Sequence, residues 1–171
     1  MRSPKVIIRP WSLEDIPALV LIANNFNVWK TLRDRFPYPY TETDAIEFIN
    51  MAKTRQPAHH FCIESDGHVA GSVGIITFKE NYRKNVEMGY FLGEAFWGKG
   101  IATVAVDLMV KHILANFDTI RIFAVVFADN ISSMRVLEKN GFILESIQKN
   151  AVIKENRVMD EYIWVRFNPQ H

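Results

Sequence analysis

The stretch Gly98-Lys99-Gly100-Ile101-Ala102-Thr103 constrains this chain more than any other, because it lies where a strand hands over to a helix. The strand expected before it covers residues 86–92. The helix expected after it covers about residues 101–116, with Ile101, Ala105, Leu108 and His112 recurring at helical spacing. Two glycines one residue apart let the backbone turn tightly and bring free N–H groups against a bound group. The first four N–H groups of a helix have no internal partner, and the helix dipole favours negative charge there. The junction therefore predicts an anion cradle, best suited to a phosphate.

Two familiar phosphate loops come close to this pattern and fail. Gly93-Glu94-Ala95-Phe96-Trp97-Gly98-Lys99 satisfies the first seven positions of a Walker A loop, and residues 122–129 form an apolar run ending in Asp129. The eighth position needs a Ser or Thr hydroxyl for magnesium, and Gly100 stands there. A dinucleotide fingerprint fails because Thr103 occupies the third small-residue position. The acid expected about twenty residues on would also fall inside the helix.

A chain of 171 residues with 49% hydrophobic and 23% charged residues reads as a single globular domain, residues 1–171 with a core of about 8–167. A formal charge of +1 argues against a nucleic-acid partner or an anionic membrane surface. Small basic clusters, Lys30/Arg33/Arg35 and Lys79/Arg83/Lys84, read as solvated loop charge. The N-terminus has only three consecutive apolar residues, Val6-Ile7-Ile8, before Arg9, and no stretch approaches a membrane-spanning length. Cys62 is the only cysteine, and histidines 59, 60, 68, 112 and 171 show no ligand spacing with nearby acids. These features predict a cytoplasmic protein with no metal. Cys62, in the alternating run Phe61-Cys62-Ile63-Glu64, reads as core rather than as a nucleophile.

Along the chain, residues 6–9 form a first strand, and Ser12 with Asp15 is a capping pattern for a helix carrying Ile16, Leu19, Val20 and Ala23. Pro17 sits near its start. Thr41 caps a second helix with Ala45, Phe48, Ile49 and Ala52 on one side. Strands follow at 61–64 and 69–78 around an Asp66-Gly67 turn. Residues 120–127 are almost continuously apolar, as expected for a strand covered on both faces. A short helix over 130–140 stops at Gly141, and strands near 143–152 and 161–167 finish the chain. The fold class is α/β (α+β): a mixed, mostly antiparallel, twisted sheet of about seven strands with helices on both faces.

Trp97-Gly98-Lys99-Gly100-Ile101-Ala102-Thr103 resembles the acetyl-CoA pyrophosphate loop of the GNAT N-acetyltransferases, whose core is (Gln/Arg)-x-x-Gly-x-(Gly/Ala). Thirty residues on, Asn130-x-x-Ser133-x-Arg135-Val136-Leu137-Glu138-Lys139-Asn140-Gly141-Phe142 resembles the second signature of the same superfamily. Phe36-Pro37-Tyr38-Pro39-Tyr40-Thr41 and Gly71-Ser72-Val73-Gly74-Ile75 are similar to the ribosomal-protein N-terminal acetyltransferase (RimJ/RimL-like) branch. Two positions depart: Ala95 replaces the Gln or Arg, and Val104 replaces a glutamate common after the Ala-Thr pair.

The resemblance implies acetyl-CoA as cofactor and transfer of its acetyl group to a primary amine by direct attack, preferably a protein or peptide N-terminal α-amine. It places the pyrophosphate on the backbone of Gly98, Lys99, Gly100, Ile101 and Ala102, flanked by Trp97 and Thr103. The end of the 86–92 strand, Phe91 and Leu92, would pair with the pantetheine arm, which requires the next strand to splay away. Glu87 is implied as the general base, acting directly or through water. An α-amine, with a pKa near ~8, asks less of a base than a lysine near ~10.4. Ser133 is implied as the acid for the thiolate and Asn130 as a pantetheine contact, although both also suit a helix cap. Trp29, Phe36, Tyr38 and Tyr40 form the expected substrate wall, with Asp160 and Tyr162 as lesser candidates. The rival readings are a polyamine or aminoglycoside acetyltransferase and a non-enzymatic CoA sensor. A deep acidic pocket favours small amines, and an open aromatic cleft favours a peptide. A homodimer is left open.

Overall fold

A computed structural model describes residues 3–171. Strand β1 (Val6–Arg9) leads through a 3-10 turn (Leu13–Asp15) into α1 (Ile16–Ala23). The expected capping box is present: Ser12 Oγ accepts from the Glu14 N–H, and the Asp15 carboxylate accepts from the Ser12 N–H. Pro17 falls in the first turn of α1, where its missing donor does no harm. Thr41 and Asp44 cap α3 (Glu42–Ala52) in the same way. Between them lies a single turn, α2 (Phe26–Trp29), capped by Asn25. Four residues are too few to reveal a helical period, so the sequence gives no sign of it.

Strands β2 (His60–Ser65), β3 (His68–Thr77), β4 (Asn85–Leu92), β5 (Arg121–Phe127), β6 (Ile143–Lys154) and β7 (Arg157–Phe167) join β1 in one seven-stranded sheet of order β1-β2-β3-β4-β5-β7-β6. Only β4 and β5 run parallel. That pair is linked by α4 (Ile101–Asn116), and β5 passes through α5 (Ile131–Lys139) to the final hairpin. The last two strands meet at a Glu155-Asn156 turn with positive φ at both residues. They are longer than expected because β6 is exposed along nearly its whole length and carries no apolar alternation.

The sheet separates two cores. One holds α4 and α5 against it through Ile101, Ala105, Met109, Ile113 and Leu137, which meet Val73, Ile75, Met88 and Ile122. The other packs α1 and α3 on the opposite face through Trp11, Leu19, Ile49 and Cys62. β5 is less enclosed than its apolar run implies: Ile122, Ala124 and Val126 are buried, whereas Phe123 and Val125 are half-buried. Among the described residues no helix is long and apolar enough to cross a membrane, and no group of three or more His, Cys, Asp or Glu could hold a metal ion.

Candidate active site

β4 and β5 pair only through Asn85↔Arg121, Val86↔Ile122 and Glu87↔Phe123. Beyond Glu87 they part. β4 continues to Leu92 against β3 alone, and β5 continues to Phe127 against β7 alone. The expected splay is therefore present, and it leaves one edge of β4 open over residues 88–92. α4 and α5 start at the mouth of this gap, so two helix N-termini face one slot.

At the first, Gly98 and Gly100 have φ of 70° and 75°, which only glycine adopts without strain. Among the described residues, no backbone carbonyl accepts from the N–H groups of residues 98–103, and Gly100 has no side-chain cap. A Cβ on Gly98 or Gly100 would meet nothing within 4 Å, so these N–H groups border open space. This is a cradle fit for a pyrophosphate. Two side chains in it have local roles. Lys99 Nζ donates to the Ala95 carbonyl at 2.8 Å, and Trp97 Nε1 donates to the Leu92 carbonyl at 2.9 Å. The first bond turns the lysine away from a Walker-type position, and Asp129 is likewise ion-paired with Arg157 at 2.5 Å. The second fastens the cradle to the end of β4.

At the second, Asn130 Oδ1 accepts from the Ser133 N–H at 3.3 Å, so Asn130 is a helix cap while also lining the cavity. Ser133 Oγ lies 2.8 Å from the phenol oxygen of Tyr90, whose hydroxyl also stands 3.1 Å from the Ser133 carbonyl. Tyr90 reaches this position from β4 and bridges the slot. Burial raises its pKa, so it holds its proton at neutral pH. Sequence reasoning missed Tyr90. No local signal marks it, since its partner Ser133 lies 43 positions away on another element.

The slot opens into a cavity of about 710 Å³ that brings together Glu87, Phe91, Asn130, Ser133, Phe36 and Tyr40. The Glu87 carboxylate is ion-paired with Arg33 Nη2 at 2.7 Å, and the same nitrogen stands 3.8 Å from Glu161 on β7. Burial raises the Glu161 pKa; Arg33 opposes that shift and Glu87 adds to it. Arg33, read from the sequence as solvated loop charge, is instead an ion-paired residue of the cavity wall, and Glu161 was not singled out; the two lie 128 positions apart and meet only through the sheet order.

The aromatic wall divides. Phe36 stacks on Tyr40 at 5.1 Å and meets the Phe91 ring edge-on at 5.2 Å, and all three line the cavity. Trp29 and Tyr38, 5.5 Å apart, cluster with Phe26 away from the cavity lining. There the Lys154 ammonium sits 3.4 Å from the Trp29 ring centroid and 2.7 Å from Asp34. Lys154 is only 3% exposed, so this cation is buried between an aromatic face and a carboxylate. Asp160 braces a bulge by accepting from Lys149 and the Asn150 N–H, and Tyr162 lies on β7 opposite Val126. Cys62 is fully buried, and burial pushes its thiol up to about 12, which removes it as a nucleophile at neutral pH.

A parallel pair splayed between two helix N-termini, one of them a bare N–H cradle, is a geometry suited to a phosphate-bearing carrier. The family model for the acetyltransferase (GNAT) domain matches residues 5–143, and the chain belongs to that family. It is 39% identical over 106 residues to the probable N-acetyltransferase YjcK of Bacillus subtilis (strain 168), an alignment taking in 61% of this chain and 58% of that protein. It is 29% identical over 170 residues to the uncharacterized N-acetyltransferase p20 of Bacillus licheniformis, covering 95% and 92%. The fold matches that of RimL, the ribosomal L7/L12 α-N-protein acetyltransferase solved with coenzyme A, with a TM-score of 0.82 at 22% identity over 95% and 93% of the two chains. GNAT acetyltransferases use acetyl-CoA, and the free N–H groups and the open β4 edge suit that cofactor.

Proposed function

We propose that this enzyme acetylates the α-amine of a protein or peptide N-terminus. The observation that carries the reading is the aromatic wall of the cavity, beside which Arg33, ion-paired with Glu87 at 2.7 Å and 3.8 Å from Glu161, places a cation where a polyamine would need free carboxylates. The aromatic wall of Phe36, Tyr40 and Phe91 suits a peptide segment. Among the relatives, the ribosomal-protein-serine acetyltransferase of Escherichia coli (strain K12) is 31% identical over 96 residues. A small-amine reading draws support from the spermidine N(1)-acetyltransferase of the same organism, 25% identical over 141 residues.

Acetyl-CoA supplies the acetyl group as a thioester. The N–H groups of Gly98, Lys99, Gly100, Ile101, Ala102 and Thr103 hold its pyrophosphate, with Trp97 keeping the loop in place, and the β4 edge at Phe91 and Leu92 lines its arm. Asn130 lines the same slot. Glu87 takes the proton that the incoming ammonium must lose, directly or through water, which leaves the nitrogen lone pair free to attack. When Tyr90 donates to Ser133 Oγ, the serine proton is left to point into the slot, where it can pass to the departing sulfur and be replaced by the second proton that the nitrogen sheds on becoming an amide. Capping and catalysis coexist in Asn130 and Ser133 because the cap uses the Asn130 oxygen and the Ser133 backbone.

Mass spectrometry of three acceptors tests this: a peptide with a free N-terminus, the same peptide blocked at its N-terminus but carrying lysine, and spermidine. Acetylation of the free N-terminus at least about tenfold faster than the others is expected, given the smaller proton-removal demand of an α-amine. Preferential turnover of spermidine would overturn the peptide reading. With the preferred acceptor, Ser133→Ala is expected to lower kcat by about 10²-fold while acetyl-CoA affinity stays within about threefold.

A further inference from the structure

Arg33 is an unusual member of an amine-binding cavity. Its substrate enters from water chiefly as a cation, and a fixed guanidinium repels it. Yet Arg33 stands on the cavity wall with its side chain 41% exposed, and its Nη2 faces Glu87 and Glu161, whose side chains are 16% and 12% exposed. Those carboxylates come from β4 and β7, two rigid strands on either side of β5. Arg33 comes from the irregular segment between α2 and α3. One partner of the pair is thus built into the sheet, and the other is carried by a loop.

The loop is tethered next door. Asp34 pairs with buried Lys154, which also lies over the Trp29 ring. The long β6–β7 hairpin therefore holds the arginine's segment, leaving the exposed guanidinium to rotate about its own side-chain bonds. Trp29 and Tyr38 gain a role here as part of the anchorage rather than of the wall.

We propose that Arg33 is the specificity-determining residue for acceptor charge: its guanidinium occupies a cation position between Glu87 and Glu161, and the acceptor's ammonium competes for it. An acceptor with one ammonium displaces the guanidinium from Glu87 alone and leaves Glu161 paired. A polycation would need both carboxylates and meets Arg33 still held by the second. The arginine thus filters against polyamines by standing as one cation between two half-buried carboxylates. The inference rests on the peptide-acceptor reading, but its test needs no turnover.

The test is calorimetric titration of spermidine into the CoA-loaded protein. Arg33→Met removes the charge and keeps an unbranched side chain. It is expected to tighten spermidine binding at least about tenfold, a change that added salt diminishes. In Arg33→Met/Glu161→Gln the gain should be lost, because the exposed carboxylate is gone. Arg35→Met removes an equal charge from the same wall and is expected to tighten binding less than about threefold. Unchanged or weaker spermidine binding in Arg33→Met, or equal gains in the two single variants, would overturn the proposal. If spermidine binds Arg33→Met tightly but the parent acetylates no peptide N-terminus, the filter stands and the acceptor reading falls.

Discussion

His60 shows how one residue's surroundings set the acid stability of the fold. It lies on β2 with its ring against Gly74, where a Cβ would come within 2.2 Å of Nδ1, and Phe48 meets it edge-on at 5.7 Å. Burial, with the charges of His59, Arg35 and Arg55, lowers its pKa to about 4. The unfolded chain binds this proton near ~6.5 and the folded chain only near 4, so the contribution is full above pH ~6.5. It is lost as pH falls through the window between those values, with a slope of up to ~1.4 kcal/mol per pH unit. His60→Asn should flatten that part of the stability curve. Urea unfolding at pH 7, 6, 5 and 4 measures it, and parallel curves for the two proteins would refute the assignment.

At the scale of elements, the strand–loop–helix cradle carries the cofactor assignment. Gly100→Val places a branched side chain at φ of 75°, where the strain is of order 1–3 kcal/mol, and it screens the N–H groups behind it. Acetyl-CoA affinity should fall at least about tenfold by calorimetry, and wild-type affinity would sink the cradle. This element was legible because its signal is local: two glycines, a capless N-terminus and a long apolar stripe lie within twenty residues. The capping boxes at Ser12 and Thr41 and the stop at Gly141 were legible for the same reason. Single-turn α2 was not, since four residues carry no period of buried residues, and the start of β7 at Arg157 lies four residues before the expected 161. The Arg33–Glu87–Glu161 cluster and the Tyr90–Ser133 pair escaped because their partners come from separate elements and meet only once the sheet order is known. Trp29 and Tyr38 share composition and neighbourhood with Phe36 and Tyr40, and only the chain's path puts them in different clusters.

Across the whole molecule, the two faces of the sheet are unequally built. α4 spans sixteen residues and presents Ile101, Ala105, Val106, Met109, Val110 and Ile113 to the sheet, all of them at most 1% exposed. α1 and α3 are shorter and leave Leu21, Ile46 and Met51 in solvent. Local opening should therefore be easier on the α1/α3 face. Native-state hydrogen exchange should give α3 amides opening constants at least about tenfold larger than those of α4. Equal protection on the two sides would show that the cores unfold as one.

The division has a consequence for how such an enzyme is repurposed. On the proposed roles, its donor seat belongs to the heavier face and its acceptor wall to the lighter one, with a single sheet as the party wall. Arg33 lines the cavity on that side and is no part of the core beneath α4, so its replacement should leave the packing under the cradle in place. A lineage of these enzymes is free to change whom it modifies while the currency of modification stays the same.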